Sequence, residues 1–258
     1  MSLIFKFPFD IINEYEKRGF KMKKIEKSSE LLWLFGIIFV ALGVAICSKA
    51  NLGVSMIAAP AFVVSEAVVR LWGGFTVGAS EYILQGILLI ILCCIIRKFK
   101  WKYLFAFLVA VIYGYTLDLF IFIFDSVVFN QLWLRWIMLL VGDCITAFGV
   151  ACFFRTYMPL QVYELFVSET AARFGFKISK VKLAFDLSLL TLSLILVFTL
   201  FPISQFNPKI LIDSSYHNIG LGTLVTTVIN SPLIAFMGRV ADRFFGQEAM
   251  FPSLKERL

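Results

Sequence analysis

Histidine is almost absent from this chain: His217 is the single one among 258 residues. It falls in the polar stretch 203–217, so histidine chemistry within an apolar segment is excluded, as is a His-rich metal site. Charged residues are also scarce, at 16%, against about 25% in soluble domains. The five cysteines (Cys47, Cys93, Cys94, Cys144, Cys152) all lie in apolar runs, and none forms a CxxC pair. They read as small buried residues rather than ligands or redox partners. No HExxH, GxSxG, Walker A or dinucleotide fingerprint occurs. Asp118 and Asp143 lack the Gly-x-Gly-Asp setting of an intramembrane aspartyl protease. The expectation is a protein that is not an enzyme and carries no cofactor or metal. The first apolar run has no small-x-small exit, and Ile46 precedes Cys47, which argues against a cleaved signal or a lipoprotein site.

What the chain has instead is apolar surface. Hydrophobic residues make up 60%, with 29 phenylalanines, and the mean hydropathy is +0.89. Several runs reach the roughly 20 apolar residues needed to cross a bilayer. They are continuously apolar rather than alternating, which excludes a β-barrel. The fold class expected is an all-α polytopic membrane protein. The +7 charge sits at the ends of the apolar segments, so it reports orientation and not nucleic-acid binding.

The apolar segments come twice. Ala41-Leu42-Gly43-Val44-Ala45, Lys49 and Val64-Ser65-Glu66 are answered by Ala147-Phe148-Gly149-Val150-Ala151, Arg155 and Val167-Ser168-Glu169. Farther on, Gly74-Phe75-Thr76-Val77 is answered by Gly175-Phe176-Lys177-Ile178. Spans are predicted at about 31–48, 80–96, 103–124, 133–153, 183–201 and 218–238. Segments 53–71 and 157–172 are read as broken or re-entrant helices. Pro60 interrupts the first, and the second carries Pro159 and a polar stripe of Tyr157, Gln161, Glu164 and Ser168. Basic residues test this choice. Six spans leave only Lys49, Arg70, Arg135 and Lys209 outside, so 20 of the 24 Lys and Arg are inside; eight spans give 17 against 7. The positive-inside rule favours six. Three spans per copy is odd, so the copies run antiparallel. The organisation expected is a cytoplasmic amphipathic segment at 1–30, repeat 1 at 31–126, inverted repeat 2 at 132–245, and a cytoplasmic tail at 246–258. Both termini are placed in the cytoplasm, and 1–30 is read as an interfacial helix on anionic lipid.

Broken helices bring helix ends and free carbonyls to the membrane midplane; the plainer reading is that Gly53, Pro60 and Pro159 only kink ordinary spans. Polar and ionisable residues at depth are costly and therefore informative. The binding candidates are Asn51, Ser55, Glu66, Asp118, Asp143, Gln161, Glu164, Glu169 and Asn230, with Glu81 and Asp186 as further acidic residues. Glu66 and Glu169 occupy matching positions, each followed four residues later by arginine (Arg70, Arg173), so each is also read as a helical ion pair. Asp118 lies beside Tyr113-Gly114-Tyr115-Thr116, which could line a pocket. Asn230 before Pro232 predicts a kink in the last span, which opens on Gly220 and Gly222. Lys49 and Arg155 match at the mouths of the broken helices, either drawing an anion inward or snorkelling to head groups.

Lys49-Ala50-Asn51-Leu52-Gly53-Val54-Ser55, Glu81, the basic turn Arg97 to Lys102, Tyr113-Gly114 with Asp118, and Gly222-Thr223 with Asn230 and Pro232 resemble the YczE/YitT-like bacterial integral membrane proteins. The resemblance spans roughly 31–245 and implies a bacterial plasma-membrane protein without identifying a solute. YczE-type sequences continue Gly-Val-Ser with Pro-Trp-Asp; here Met56-Ile57-Ala58-Ala59-Pro60 follows, which marks a separate branch. The functional expectation is a transporter of a small polar or charged solute, proton- or ion-coupled, with its site between the repeats. The alternative is a non-transporting scaffold or accessory subunit. The expected partners are a small solute and membrane lipids, with a homodimer possible.

Overall fold

The computed structural model describes residues 25–27, 29–202 and 214–248. The expected interfacial segment and the cytoplasmic tail fall mostly outside these residues.

Eight helices form, among the described residues: α1 (Ser29–Ala50), α2 (Ala59–Val69), α3 (Val77–Ile96), α4 (Lys102–Ile123), α5 (Leu132–Phe153), α6 (Val162–Phe174), α7 (Ile178–Leu200) and α8 (Leu221–Phe244). Six are long and apolar enough to cross a membrane. At 20–24 residues and 1.5 Å per residue they are about 30–36 Å long, the thickness of a bilayer core. The protein is therefore a multi-span helical membrane protein. Helices α7 and α8 differ most from expectation. Both extend at their charged ends, α7 starting at Ile178 ahead of Lys180 and Lys182, and α8 running past Arg239 to Phe244. Apolarity alone ends a span where the charges begin, whereas backbone hydrogen bonding carries the helix on into the interface.

The lipid-facing surface is apolar, with Ile83, Ile87, Ile90, Leu108, Phe122 and Ile195 exposed. Polar side chains point inward: Glu81, Gln85, Asp143, Asp186, Ser193, Thr223 and Asn230 are all buried. Hydrophobic burial cannot hold such helices together, because lipid is as apolar as leucine; close contact must do so. It is densest between α1 and α5. A Cβ at Gly43 would stand 2.5 Å from the Gly142 carbonyl oxygen and 2.6 Å from the Thr146 nitrogen. One at Gly149 would stand 2.7 Å from the Val40 nitrogen. Gly36, Gly43, Gly142 and Gly149 thus let two backbones meet along a whole crossing.

Polar contacts divide the loops between two ends. At the basic end, Tyr157 donates to Glu30 (2.5 Å), Ser29 bonds Thr156, and Arg155 bonds Asp242 through Nε (2.7 Å) and Nη2 (2.8 Å). A short parallel pairing of β1 (Ile25–Lys27) with β2 (Phe245–Glu248) joins the chain's first and last described elements there. At the opposite end Lys49 pairs with Asp125 at 3.3 Å, and Ser215 donates to Asn51 (2.7 Å).

The two short helices return to the end they came from. Before α2, residues 52–56 dip into the bundle and are buried. Their backbone is satisfied by the loop entering α8: Val54 donates to the Asn218 carbonyl and Gly222 to that of Leu52, both at 2.9 Å. Gly53 has φ +107°, and its missing side chain leaves room for Gly220 and Thr223. Non-helical backbone at membrane depth requires such internal partners. Helix α2 then runs out to the exposed Leu71 and Trp72. From the basic end, residues 154–161 lead in, with the Pro159 carbonyl accepting from Trp33 at 3.0 Å, and α6 returns to Gly175 in a left-handed C-cap. Helix α2 packs on α7, and α6 packs on α3. Between α7 and α8, which barely touch, an apolar groove of about 200 Å³ opens, lined by Leu190, Leu194, Val197, Phe198, Leu221 and Leu224.

The α1–α5 seam gives a direct test. Gly43→Val must push two backbones apart, at a cost of about 1–3 kcal/mol or more. Gly73→Ala, at a position with open space, should be neutral. Thermal melts of the two purified variants in detergent should separate them clearly.

Candidate functional site

Where α6 begins, deep in the bundle, it meets α3, α4 and α7, and a set of polar side chains converges. Gln161 ends the inward stretch, and Val162, Tyr163 and Glu164 form the first turn of α6. The α6 first turn lies about 15–18 Å from the basic end, counting 1.5 Å per residue back from Phe174. Tyr163 donates to Glu81 Oε2 at 2.8 Å, and Gln85 Nε2 lies 3.4 Å from the same oxygen. The Glu164 charge reaches Glu81, and both carboxyls act on Tyr113 of α4. On α7, Lys182 pairs with Asp186 at 3.3 Å, and both act on Glu164.

These groups are sealed from solvent. Glu81 and Gln85 are 0% exposed, Gln161 2%, Glu164 5%, Lys182 8% and Asp186 1%. Four of their polar atoms find no partner: Glu81 Oε1, Gln85 Oε1, Gln161 Nε2 and Glu164 Oε2. An unmade hydrogen bond at a buried group costs about 1–3 kcal/mol, so four around the tip of α6 set this region apart from ordinary packing. Charge points the same way. Glu164 and Asp186 both face Lys182, which is taken by Asp186, and Glu81 lies within electrostatic reach of Glu164 with no cation of its own.

The other candidates lie elsewhere. Asp143 is 1% exposed with Oδ2 unpartnered, and Asn230 is 2% exposed with Oδ1 unpartnered. In the register that sets Leu139 against Gly222, they lie on α5 and α8 about one helical turn apart. Ser55 is buried in the dip before α2, and Asn51 stands exposed at the opposite end. Glu66 is not at depth: it pairs with Arg70 (3.7 Å), as expected, and also meets His217 Nδ1 (2.6 Å) and Asn218 (3.1 Å) at the opposite end. Asp118 lies near the end of α4. It accepts from the Gly78 amide at 2.7 Å, satisfying a free N–H at the start of α3, while Tyr115 faces outward.

Glu169 corrects the expected pairing with Arg173. Its carboxylate is held instead by Lys100 (2.9 Å) and Lys102 (3.2 Å) from the α3–α4 turn. The helix turns Glu169 toward the bundle, where the basic turn reaches it. Lys49 and Arg155 are likewise each committed to a carboxylate, Asp125 and Asp242. Beside Glu169 and Lys102 an open cavity of about 280 Å³, lined also by Thr156, Tyr157, Leu165 and Ser168, runs along the returning half of α6.

The sequence brought Gln161 and Glu164 forward but passed over Gln85, Tyr163 and Lys182. The available signal was helical spacing: Glu81 with Gln85, and Lys182 with Asp186, are each four apart inside an apolar run.

Fold and site together define a polytopic helical membrane protein with a sealed, acidic polar centre and no group of three metal-ligating His, Cys, Asp or Glu among the described residues. The chain belongs to DUF6198, a family of unknown function, whose profile matches residues 27–239. No curated protein and no solved structure matches it.

Two outcomes are expected. Lys182→Ala strands Asp186 without its cation and should cost about 3–5 kcal/mol; removing both, in Lys182→Ala with Asp186→Ala, should recover part of that loss in a thermal melt. At the basic end, burial raises the Glu169 carboxyl, but the hydrogen bonds and charges of Lys100 and Lys102 outweigh it, and the net direction is down. A folded value below the unfolded one stabilises above the ordinary carboxylate range and is lost as pH falls through it. Glu169→Gln should therefore flatten the acid limb of the stability–pH curve.

Proposed function

We propose that this protein is a carrier, not a catalyst: a transporter of a small polar or charged solute, coupled to protons, built as two inverted halves with its site between them. The observation that carries the reading is the unpartnered cluster of Glu81, Gln85, Gln161 and Glu164, where the short helix of the second half packs on a span of the first. Ionisable residues sealed at membrane depth are expensive, and they mark transport pathways and proton relays.

Several features support inverted halves. Long, short, long, long is the helix order in α1–α4 and again in α5–α8. Exchanging the halves turns the α3–α6 contact into α7–α2 and the α1–α4 contact into α5–α8, and all four exist. The matched Lys49 and Arg155 each bond a carboxylate at the far end of the corresponding helix pair, at opposite ends of the molecule. Inverted repeats with broken helices meeting at the midplane are a recurring transporter plan.

The basic end is read as cytoplasmic by the positive-inside rule, in keeping with the resemblance to YczE/YitT-like plasma-membrane proteins of bacteria. The cavity beside Glu169 would then be the cytoplasmic approach. Glu81, about 22 Å from the basic end of α3 at 1.5 Å per residue, lies toward the outer side, and Glu164 between the two. Coupling follows from charge balance: with Lys182 held by Asp186, Glu81 and Glu164 are neutral together only when each holds a proton or a bound cation.

The test is flux. In proteoliposomes of the full chain, an imposed pH gradient should drive saturable uptake from a labelled panel of amino acids, amines and organic acids. Glu164→Gln should abolish the response to the gradient while leaving the protein folded. Wild-type vesicles that take up nothing, from protein that copurifies with a partner, would favour the scaffold.

A further inference from the structure

We infer that the cluster at the tip of α6 binds an organic cation that donates N–H groups, an ammonium or a guanidinium, in exchange for the protons of Glu81 and Glu164. The inference rests on the carrier reading and names its solute class.

The unpartnered atoms set the chemistry. Three of the four are oxygens: Glu81 Oε1, Gln85 Oε1 and Glu164 Oε2. Two of these belong to carboxyls and the third to an amide that already spends its nitrogen on Glu81. Gln161 Nε2, the fourth, is a donor, but the three oxygens call for more donors than it supplies, so the ligand brings them. An anion would bring more acceptors and more negative charge to a place that already has too much of both. No three His, Cys, Asp or Glu side chains come together here among the described residues, so no cage of ionisable metal ligands is built. Planar and tetrahedral nitrogen cations satisfy carboxylate and amide oxygens through directed N–H bonds.

A second line comes from the other half. In the register that sets Gly74 to Val77 against Gly175 to Ile178, Glu81 falls on Lys182 and Gln85 on Asp186. Each half thus places a polar pair four residues apart on the span after its short helix. In the second half, an ammonium is built in and rests on the Asp186 carboxylate at 3.3 Å. In the first half the carboxylate is present and no cation accompanies it. Lys182 shows what the geometry of such a pair takes, and Glu81 with Gln85 leaves the corresponding place to a ligand.

The groups around the exchanging carboxyls are all accounted for. Glu81 faces Gln85 on its own helix, Tyr163 and Glu164 from α6, and Tyr113 from α4. Glu164 faces Lys182 and Asp186 from α7 and Tyr113 and Tyr163 besides. The one cation among them stays on Asp186, and the tyrosines are donors or neutral. Protons and the ligand therefore compete for the same two carboxyls.

Guanidinium chloride at low millimolar concentration is the probe, with urea, sodium chloride and sodium acetate as controls. For the full chain in weakly buffered detergent, guanidinium should raise the melting temperature saturably and release protons into solution; the controls should do neither. The apparent affinity should weaken by about tenfold per pH unit on acidification for each proton exchanged. Glu81→Gln and Glu164→Gln should each weaken binding at least tenfold and reduce proton release. Wild-type protein alone suffices if a variant fails to fold, because the pH dependence carries the same information. No stabilisation by guanidinium, stabilisation independent of pH, or stabilisation by acetate would overturn the inference. Flux separates it from the carrier reading: uptake of an anion lost in Glu164→Gln keeps the carrier and removes the cation, whereas guanidinium binding without any flux keeps the cation site and removes the carrier.

Discussion

Everything in this structure hangs on the crossing of α1 and α5. Within a bilayer two apolar helices gain nothing by leaving lipid for each other, so association depends on contact closer than lipid can make. Gly36, Gly43, Gly142 and Gly149 supply that contact by removing the side chains that would hold the backbones apart. The seam joins the two halves of the chain, and the remaining helices are arranged on either side of it. Helices α4 and α8 lie against α1 and α5 respectively, and each short helix reaches across to the other half's third element.

The second constraint is that no backbone or side-chain polar group may be stranded in hydrocarbon. Internal pairing meets it at many places. Irregular chain before α2 borrows partners from the loop entering α8, Asp118 satisfies the start of α3, and Lys49, Arg155 and Glu169 are neutralised at the ends. The cluster of Glu81, Gln85, Gln161 and Glu164 departs from this pattern more strongly than any other place among the described residues. Four of the eight unpartnered buried side-chain atoms among the described residues fall in this one region, where compensation by a ligand would satisfy them together. The proposed solute site is the compensation.

Much of the fold was legible in the sequence, because a span announces itself by length and apolarity and a re-entrant helix by being too short or too polar. The six spans and the two short helices stand where those signals put them. The site was only half legible. Gln161 and Glu164 stood out because they break a weakly apolar segment, whereas Gln85 is one amide in a twenty-residue apolar helix and Lys182 was counted among the charges that end a span. Glu66 and Glu169 stand apart from the cluster for the same reason that they match: each lies on the outgoing part of a short helix, which carries it away from the centre toward its own end of the molecule. Arg173 and the Lys100–Lys102 turn are equally basic, and only the direction in which α6 turns Glu169 decides between them.

The proposed carrier requires the sealed cluster to open in turn to the two ends. Single cysteines at positions 85 and 161, in a background with Cys47, Cys93, Cys94, Cys144 and Cys152 replaced, can be challenged in vesicles of known sidedness with a small membrane-impermeant thiol reagent. Both positions should be labelled from either side, and an imposed pH gradient should raise labelling from one side as it lowers it from the other. Labelling from neither side, or from one side alone whatever the gradient, would contradict the account.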